Sequence, residues 1–220
     1  MRRLLYIKKI FAFMLFLSFF QCGQVIANTG LTVELIKNPY RDDPSSEIRI
    51  IFKNPDMSNN ILIPRFLDTS YFKVFILDED GNFFSGQFGI VIQPKLSKQK
   101  VAILPGYKFL APPINLSSKG NFKLNPNKRY YIICIINDPN GNDLIFSNLY
   151  NFFLDDDYKI REGFSVLYKD LPSQAQQSFE KYFSEWLQRE NRIYRKSFSE
   201  FISIPNESFK TVLQSQKSQK

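Results

Sequence analysis

Two cysteines, three short acidic runs and a basic cluster near residue 190 are the side chains of this sequence that could carry chemistry. Cys22 could be acylated, if cleavage made it the first residue of a lipoprotein. Cys134 lies in the apolar run YYIICIIN (130–137), where a free cysteine serves as a small buried hydrophobe. Asp78, Glu79 and Asp80 before Gly81, Asp138 and Asp143 around Gly141, and Asp155, Asp156 and Asp157 could each offer oxygen ligands to calcium. None has EF-hand spacing, and hairpin turns or a solvated loop explain all three. Histidine is absent, which removes the commonest general base, the usual partner of a nucleophilic Ser or Cys, and the commonest zinc ligand. No glycine-rich phosphate loop follows a strand. The expectation is no catalytic residue, no metal and no cofactor.

The elements that must position these residues begin with a targeting segment. Arg2, Arg3, Lys8 and Lys9 precede an uncharged apolar stretch of 11 residues, Ile10 to Phe20, the layout of a secretory signal over residues 1–27. A membrane-spanning helix needs about 20 apolar residues, so an uncleaved anchor is disfavoured. Two cleavage readings compete. Val25-Ile26-Ala27 places cleavage between Ala27 and Asn28, whereas Cys22 followed by Gly23 fits a lipoprotein signal ending at residue 21. Gln21 and the bulky Phe19 and Phe20 before the cysteine favour the cut after Ala27. Cleavage there takes away four basic residues and no acidic ones, half of the net charge of +8. With 44% hydrophobic and 16% aromatic residues, disorder throughout is excluded.

Residues 28–154 read as a β-domain. EIRIIFK (47–53) alternates, with Ile48, Ile50 and Phe52 on one face. FKVFILD (72–78) does the same, and RYYIICIIN (129–137) is apolar on both faces, as a central strand is. Further strands are expected at 31–37, 61–66, 88–92, 100–105 and 144–154. Pro64 demotes its run to an edge or a bulge. Turn residues at 54–56, 78–82, 104–106, 111–113, 125–127 and 138–143 punctuate the runs. Short strands of this kind without a helical period predict an antiparallel β-sandwich.

DDDYKIREG (155–163) is polar and charged, and residues 155–170 read as a linker before a helical tail over 171–220. Ser173 and Gln176 have capping-box spacing after Pro172. Apolar residues at Ala175, Phe179, Tyr182, Phe183, Trp186, Leu187, Ile193, Tyr194, Phe198, Phe201 and Ile202 predict one helix of about 25–30 residues, ended by Pro205. Its stripe either packs on the sandwich or faces outward. In the second case Trp186 would anchor at a partner or membrane surface, with Arg189, Arg192, Arg195 and Lys196 beside anionic groups. Glu180, Glu185, Glu190 and Glu200 interrupt that basic face, and nucleic acid is not expected.

The β-part resembles the immunoglobulin-like modules of bacterial envelope proteins, of the intracellular-proteinase-inhibitor-like family. The shared points are Asn54 ending a strand, Asp78 to Gly81, and Leu104-Pro105-Gly106, then the Tyr130–Ile136 strand and Ser147-Asn148 before the last one. Where that family introduces the late strand with Pro-Gly-x-Tyr, this chain has Asn125 to Tyr130, so no inhibitory residue carries over. The resemblance implies an immunoglobulin-like sandwich over residues 31–154. The functional expectation is a non-enzymatic, exported periplasmic or cell-envelope protein acting as an interaction or scaffolding module. The alternative is a lipid-anchored inhibitor or binding subunit presenting its loops (38–46, 54–60 and 111–120) to an extracytoplasmic protein.

Overall fold

Short alternating segments become strands because each has one face that must leave water. The computed structural model describes residues 31–39, 46–64, 72–84, 86, 99–117, 122–137, 144–190 and 198–202. Among these, the strands in chain order begin with β1 (Thr32–Lys37), β2 (Glu47–Lys53), β3 (Ile61–Pro64) and β4 (Phe72–Asp78). Next come β5 (Phe83–Phe84), β6 (Lys100–Ile103), β7 (Lys108–Leu110) and β8 (Ile114–Asn115). The last four are β9 (Lys128–Asn137), β10 (Leu144–Phe146), β11 (Leu149–Leu154) and β12 (Ile160–Val166). The fold is thus mainly β. The strand expected at 88–92 and the turn at 138–143 lie outside the described residues.

The strands form three antiparallel sheets. One has the order β1-β2-β7, with β8 also on β2. A larger one runs β12-β11-β9-β4-β5, with β10 also on β9. The third is the pair β3-β6, and among the described residues β6 is the only partner of β3, the edge position that suits a strand holding Pro64. Strand β9 explains the packing. Tyr130, Ile132, Cys134 and Ile136 enter one core with Val33, Leu35, Ile48, Ile50 and Phe52 of the first sheet. Tyr131, Ile133 and Ile135 enter a second core, on the opposite face. β4 divides in the same way, with Val74 and Ile76 to the first core and Phe75 and Leu77 to the second. Sheet lies on sheet across the first core, and a helix covers the second.

That helix is α1 (Ser173–Arg189), and it buries Ala175, Phe179, Phe183, Trp186 and Leu187. Spacings of three and four put these residues on one stripe, which docks on the outer face of the larger sheet. The expected capping box does not form. Pro172 is the N-cap with no side-chain bond, Ser173 is already helical, and the Gln176 side chain instead donates through Nε2 to the Leu171 carbonyl at 2.9 Å. The helix stops at Arg189, and a second helix, α2 (Phe198–Ile202), follows. In one continuous helix Phe179 and Phe198 would lie about 28 Å apart. Their rings are stacked with centroids 5.2 Å apart, so the second helix folds back on the first. Glu180 fixes that return by accepting from the Phe198 and Ser199 amides, both at 2.8 Å.

Residues 155–170 are not a linker. They hold β12, which pairs with β11 from Leu149↔Val166 to Leu154↔Ile160. The acidic run is the hairpin turn that leads into it. Asp155 accepts from the amides of Asp157 (3.0 Å) and Lys159 (2.7 Å), and its carboxylate also takes the Arg161 guanidinium. A short 3-10 turn at Tyr168–Asp170 then delivers the chain to α1.

The first core is closed at the break between β10 and β11. The Ser147 amide donates to the Cys134 carbonyl, and the Cys134 amide donates to the Ser147 hydroxyl, both at 2.9 Å. Asn148 turns away from β9 and treats Leu35 as a strand neighbour, accepting from its amide at 2.6 Å and donating to its carbonyl at 3.1 Å. One side chain thereby joins the two large sheets.

Candidate functional site

The acidic residues are built into turns. Asp78 closes the β4–β5 hairpin, where Glu79, Asp80 and Gly81 form the loop and Gly81 takes the left-handed conformation (φ 79°) that this loop length favours. Asp78 accepts from the Asn82 amide at 2.8 Å and from its side chain at 2.9 Å, with Lys128 at 3.4 Å. Burial pushes the Asp78 carboxyl up, but the Asn82 bonds and Lys128 outweigh it and hold the group below its ordinary value. Among the described residues no three metal-ligating side chains come together. Cys134 is fully buried, and desolvation pushes its thiol far up, away from the reactive thiolate.

The surface feature that stands out is apolar, at the end of the molecule where β2 hands over to β3 and β6 to β7. In the small β3–β6 sheet Ile61, Ile63 and Ile103 are buried in the first core. By the two-residue period, Leu62, Ala102 and Leu104 take the opposite face. Leu62 is 42% exposed and Leu104 50%. Beyond them Met57 is 82% exposed and Tyr107 66%. Solvent-facing sides of antiparallel strands are ordinarily polar. Here four large apolar side chains share one end.

Asn54 makes that end rigid. It is buried, with 1% of its surface exposed. Its side-chain amide donates to the carbonyls of Asn59 (2.8 Å) and Ile103 (2.9 Å), and its side-chain oxygen accepts from the Asp56 amide at 3.0 Å. Its backbone takes part as well: the Asn54 amide donates to the Tyr107 carbonyl, and its carbonyl accepts from Gly106. The Gly106 amide also reaches the Asp56 carbonyl, and Tyr107 closes a turn onto Leu104. Asp56 gathers the amides of Ser58 (2.7 Å) and Asn59 (3.3 Å). Two loops that are separate in sequence are therefore one hydrogen-bonded tip carrying Met57 and Tyr107.

The residues read from the sequence as surface contacts fare differently. Trp186 is not an outward anchor. It is 8% exposed, and its ring meets Phe75 edge-on at 6.1 Å and Phe183 at 6.0 Å, because α1 turns its apolar stripe to the sheet. Arg189 is exposed at the end of α1 and donates to the Glu185 carbonyl at 3.3 Å. Lys73 of β4 lies near enough to Arg189 and Glu190 to feel both charges. Arg192, Arg195 and Lys196, like Cys22, Ala27 and Asn28, lie outside the described residues.

Sequence reasoning offered the 54–60 loop as a contact, but read 104–106 as a strand end and turn and as a point of family resemblance, not as a contact. A signal was present. Leu62 alternates with Ile61 and Ile63, so where those two face the core Leu62 faces away from it, on the side that is ordinarily polar. No family model, no curated protein and no solved structure matches the chain.

Proposed function

We propose that this chain is a non-enzymatic binding module of the cell envelope, exported by its N-terminal signal, which holds an extracytoplasmic partner at the Asn54-organised tip. The two packed sheets are read, in this proposal, as an immunoglobulin-like sandwich. The observation that carries the reading is the apolar end: Met57, Leu62, Leu104 and Tyr107 stand in water on two loops that Asn54 joins by hydrogen bonds. Exposed apolar clusters on a well-built scaffold mark contact surfaces. Loops held by a rigid scaffold are where such proteins place recognition.

Site-specific photocrosslinking in the natively exported protein tests it. A crosslinker at Met57 is expected to give a discrete adduct that the same group at exposed Glu162 does not give. Identical patterns from the two positions refute the assignment of the tip. Intact-mass measurement of the same material decides the Cys22 alternative: a start at Asn28 excludes the lipid anchor, and acyl mass on Cys22 establishes it.

A further inference from the structure

The shape and chemistry of the tip narrow the kind of partner, on the reading just given that the tip is the contact site. Met57 and Tyr107, at 82% and 66% exposure, have too few neighbours to stand in a groove. They protrude. Protruding apolar side chains can fill pockets on a rigid protein partner, but the fluid interfacial layer of a membrane takes them without any matched pocket. The residue types agree. Tyrosine is at home at the level of lipid headgroups, and Leu and Met partition just below it.

The backbone is prepared for a place poor in water. The amides of Asn54, Asp56, Ser58, Asn59, Gly106 and Tyr107 all donate within the tip. Those six donors enter a membrane interface without being stranded. The charges agree as well. Across residues 54–64 and 100–110 the sequence holds Lys100 and Lys108 against a single acid, Asp56. Both lysines are exposed. Lys108 adjoins Tyr107. Lys100 shares the outward face of β6 with Ala102, and an extended chain places it roughly 13 Å behind Leu104, which directly follows the strand. That is headgroup depth for a tip entering by about 5–10 Å. Asp56 keeps its charge through the amides of Ser58 and Asn59, so the insertion stays interfacial.

We propose that this tip docks on an anionic membrane surface, Met57, Leu104 and Tyr107 entering the interfacial layer and Lys100 and Lys108 resting on the headgroups. The membrane contact that the sequence offered as one alternative for Trp186 and its helix is here placed at the loops beside the first core.

Co-sedimentation of the full mature protein with vesicles tests it, comparing phosphatidylcholine alone with phosphatidylcholine containing phosphatidylglycerol. Binding is expected on the anionic vesicles and to weaken with salt. Each of Met57→Ser, Leu104→Ser and Tyr107→Ser is expected to weaken it about tenfold. Lys100→Glu with Lys108→Glu is expected to abolish the preference for anionic lipid. These sites are exposed, so an unchanged melting temperature verifies that each variant folds. Wild-type protein that ignores phosphatidylglycerol vesicles, or serine variants that bind as the wild type does, overturns the proposal. If vesicles are ignored while the Met57 crosslinker still captures a protein or a second copy of this chain, the membrane inference falls and the binding-module reading stands. If neither occurs, both fall.

Discussion

Replacing Asn54 by alanine tests the logic of the tip at one residue. The side chain makes three hydrogen bonds, to Asn59, Ile103 and Asp56, at 2.8, 2.9 and 3.0 Å. At about 1 kcal/mol net for each, and more where a buried carbonyl is left unpaired, the loss is roughly 3 kcal/mol. The Ile103 carbonyl belongs to that second case, since its bond to Asn54 is buried. For a domain of this size such a loss lowers the melting temperature by roughly 6–12 °C. Urea unfolding followed by circular dichroism measures it. Asn54→Asp sharpens the test. An aspartate has the same shape, but its carboxylate would face two carbonyl oxygens instead of donating to them. Burial and those oxygens raise its folded pKa above the unfolded value, so the variant gains stability, relative to the parent, as pH falls from 7 towards 4. The reasoning is refuted if Asn54→Ala costs less than about 1 kcal/mol, a surface-like value. It is equally refuted if Asn54→Asp is indifferent to pH.

Further outcomes follow from individual contacts. Gly106→Ala should cost only the left-handed backbone penalty, about 1–2 kcal/mol, since φ is 72° and an added methyl meets open space. Gly81→Ala should cost clearly more in the same denaturation assay, because its methyl would sit 2.6 Å from the Ser178 hydroxyl and 2.9 Å from the Gln174 carbonyl of α1; equal costs would contradict the packing of hairpin on helix. Cys134 should stay unreacted with a thiol reagent at pH 8 in the native protein and react fully in denaturant, as burial of the thiol dictates. Glu180→Ala should speed amide exchange at Phe198 and Ser199 while leaving β9 protected, because it removes the acceptor that ties α2 to α1.

Much of this was legible in the chain, for physical reasons that vary by element. Strand β9 announced itself because apolar residues on both faces of an extended run can be satisfied only between two cores. β2 did so because Ile48, Ile50 and Phe52 keep a strict period. β12 was missed, since IREGFSV is an edge strand with charges facing water, and its pairing depends on β11 rather than on any pattern of its own. The single long helix was misread for a related reason. A stripe at helical spacing continues through Phe198 whether the chain runs straight or doubles back, and the residue that decides, Glu180, lies 18 positions before the amide it caps. Trp186 belongs here too. Periodicity shows that a stripe will be buried, but not whether a sheet or a membrane buries it. The tip was the least legible, because one face of β3 and the side chain of Asn54 acquire meaning only when two distant loops meet.

The double-sided character of β9 and β4 also decides whether the C-terminal segment is an appendage. Truncation after Asp170 would uncover Phe75, Leu77, Ile133, Ile135 and Leu149, all buried in the second core. Exposing five such side chains forfeits roughly 1.5–3 kcal/mol each. The total, above about 7 kcal/mol, is comparable with the whole stability of an ordinary domain. The truncated protein should therefore lose its cooperative transition, bind a hydrophobic dye and self-associate, rather than behave as a free sandwich lacking a tail. A monomeric fragment ending at Asp170 that unfolds at the parent's urea midpoint would show that the helix contributes nothing to the sheet beneath it. Until α1 is docked the larger sheet has one wet apolar face, so sheet and helix must form together. For that reason a partner lost on deleting the helices would not place the contact on them, whereas point changes at exposed Met57 and Tyr107 leave both cores intact and can.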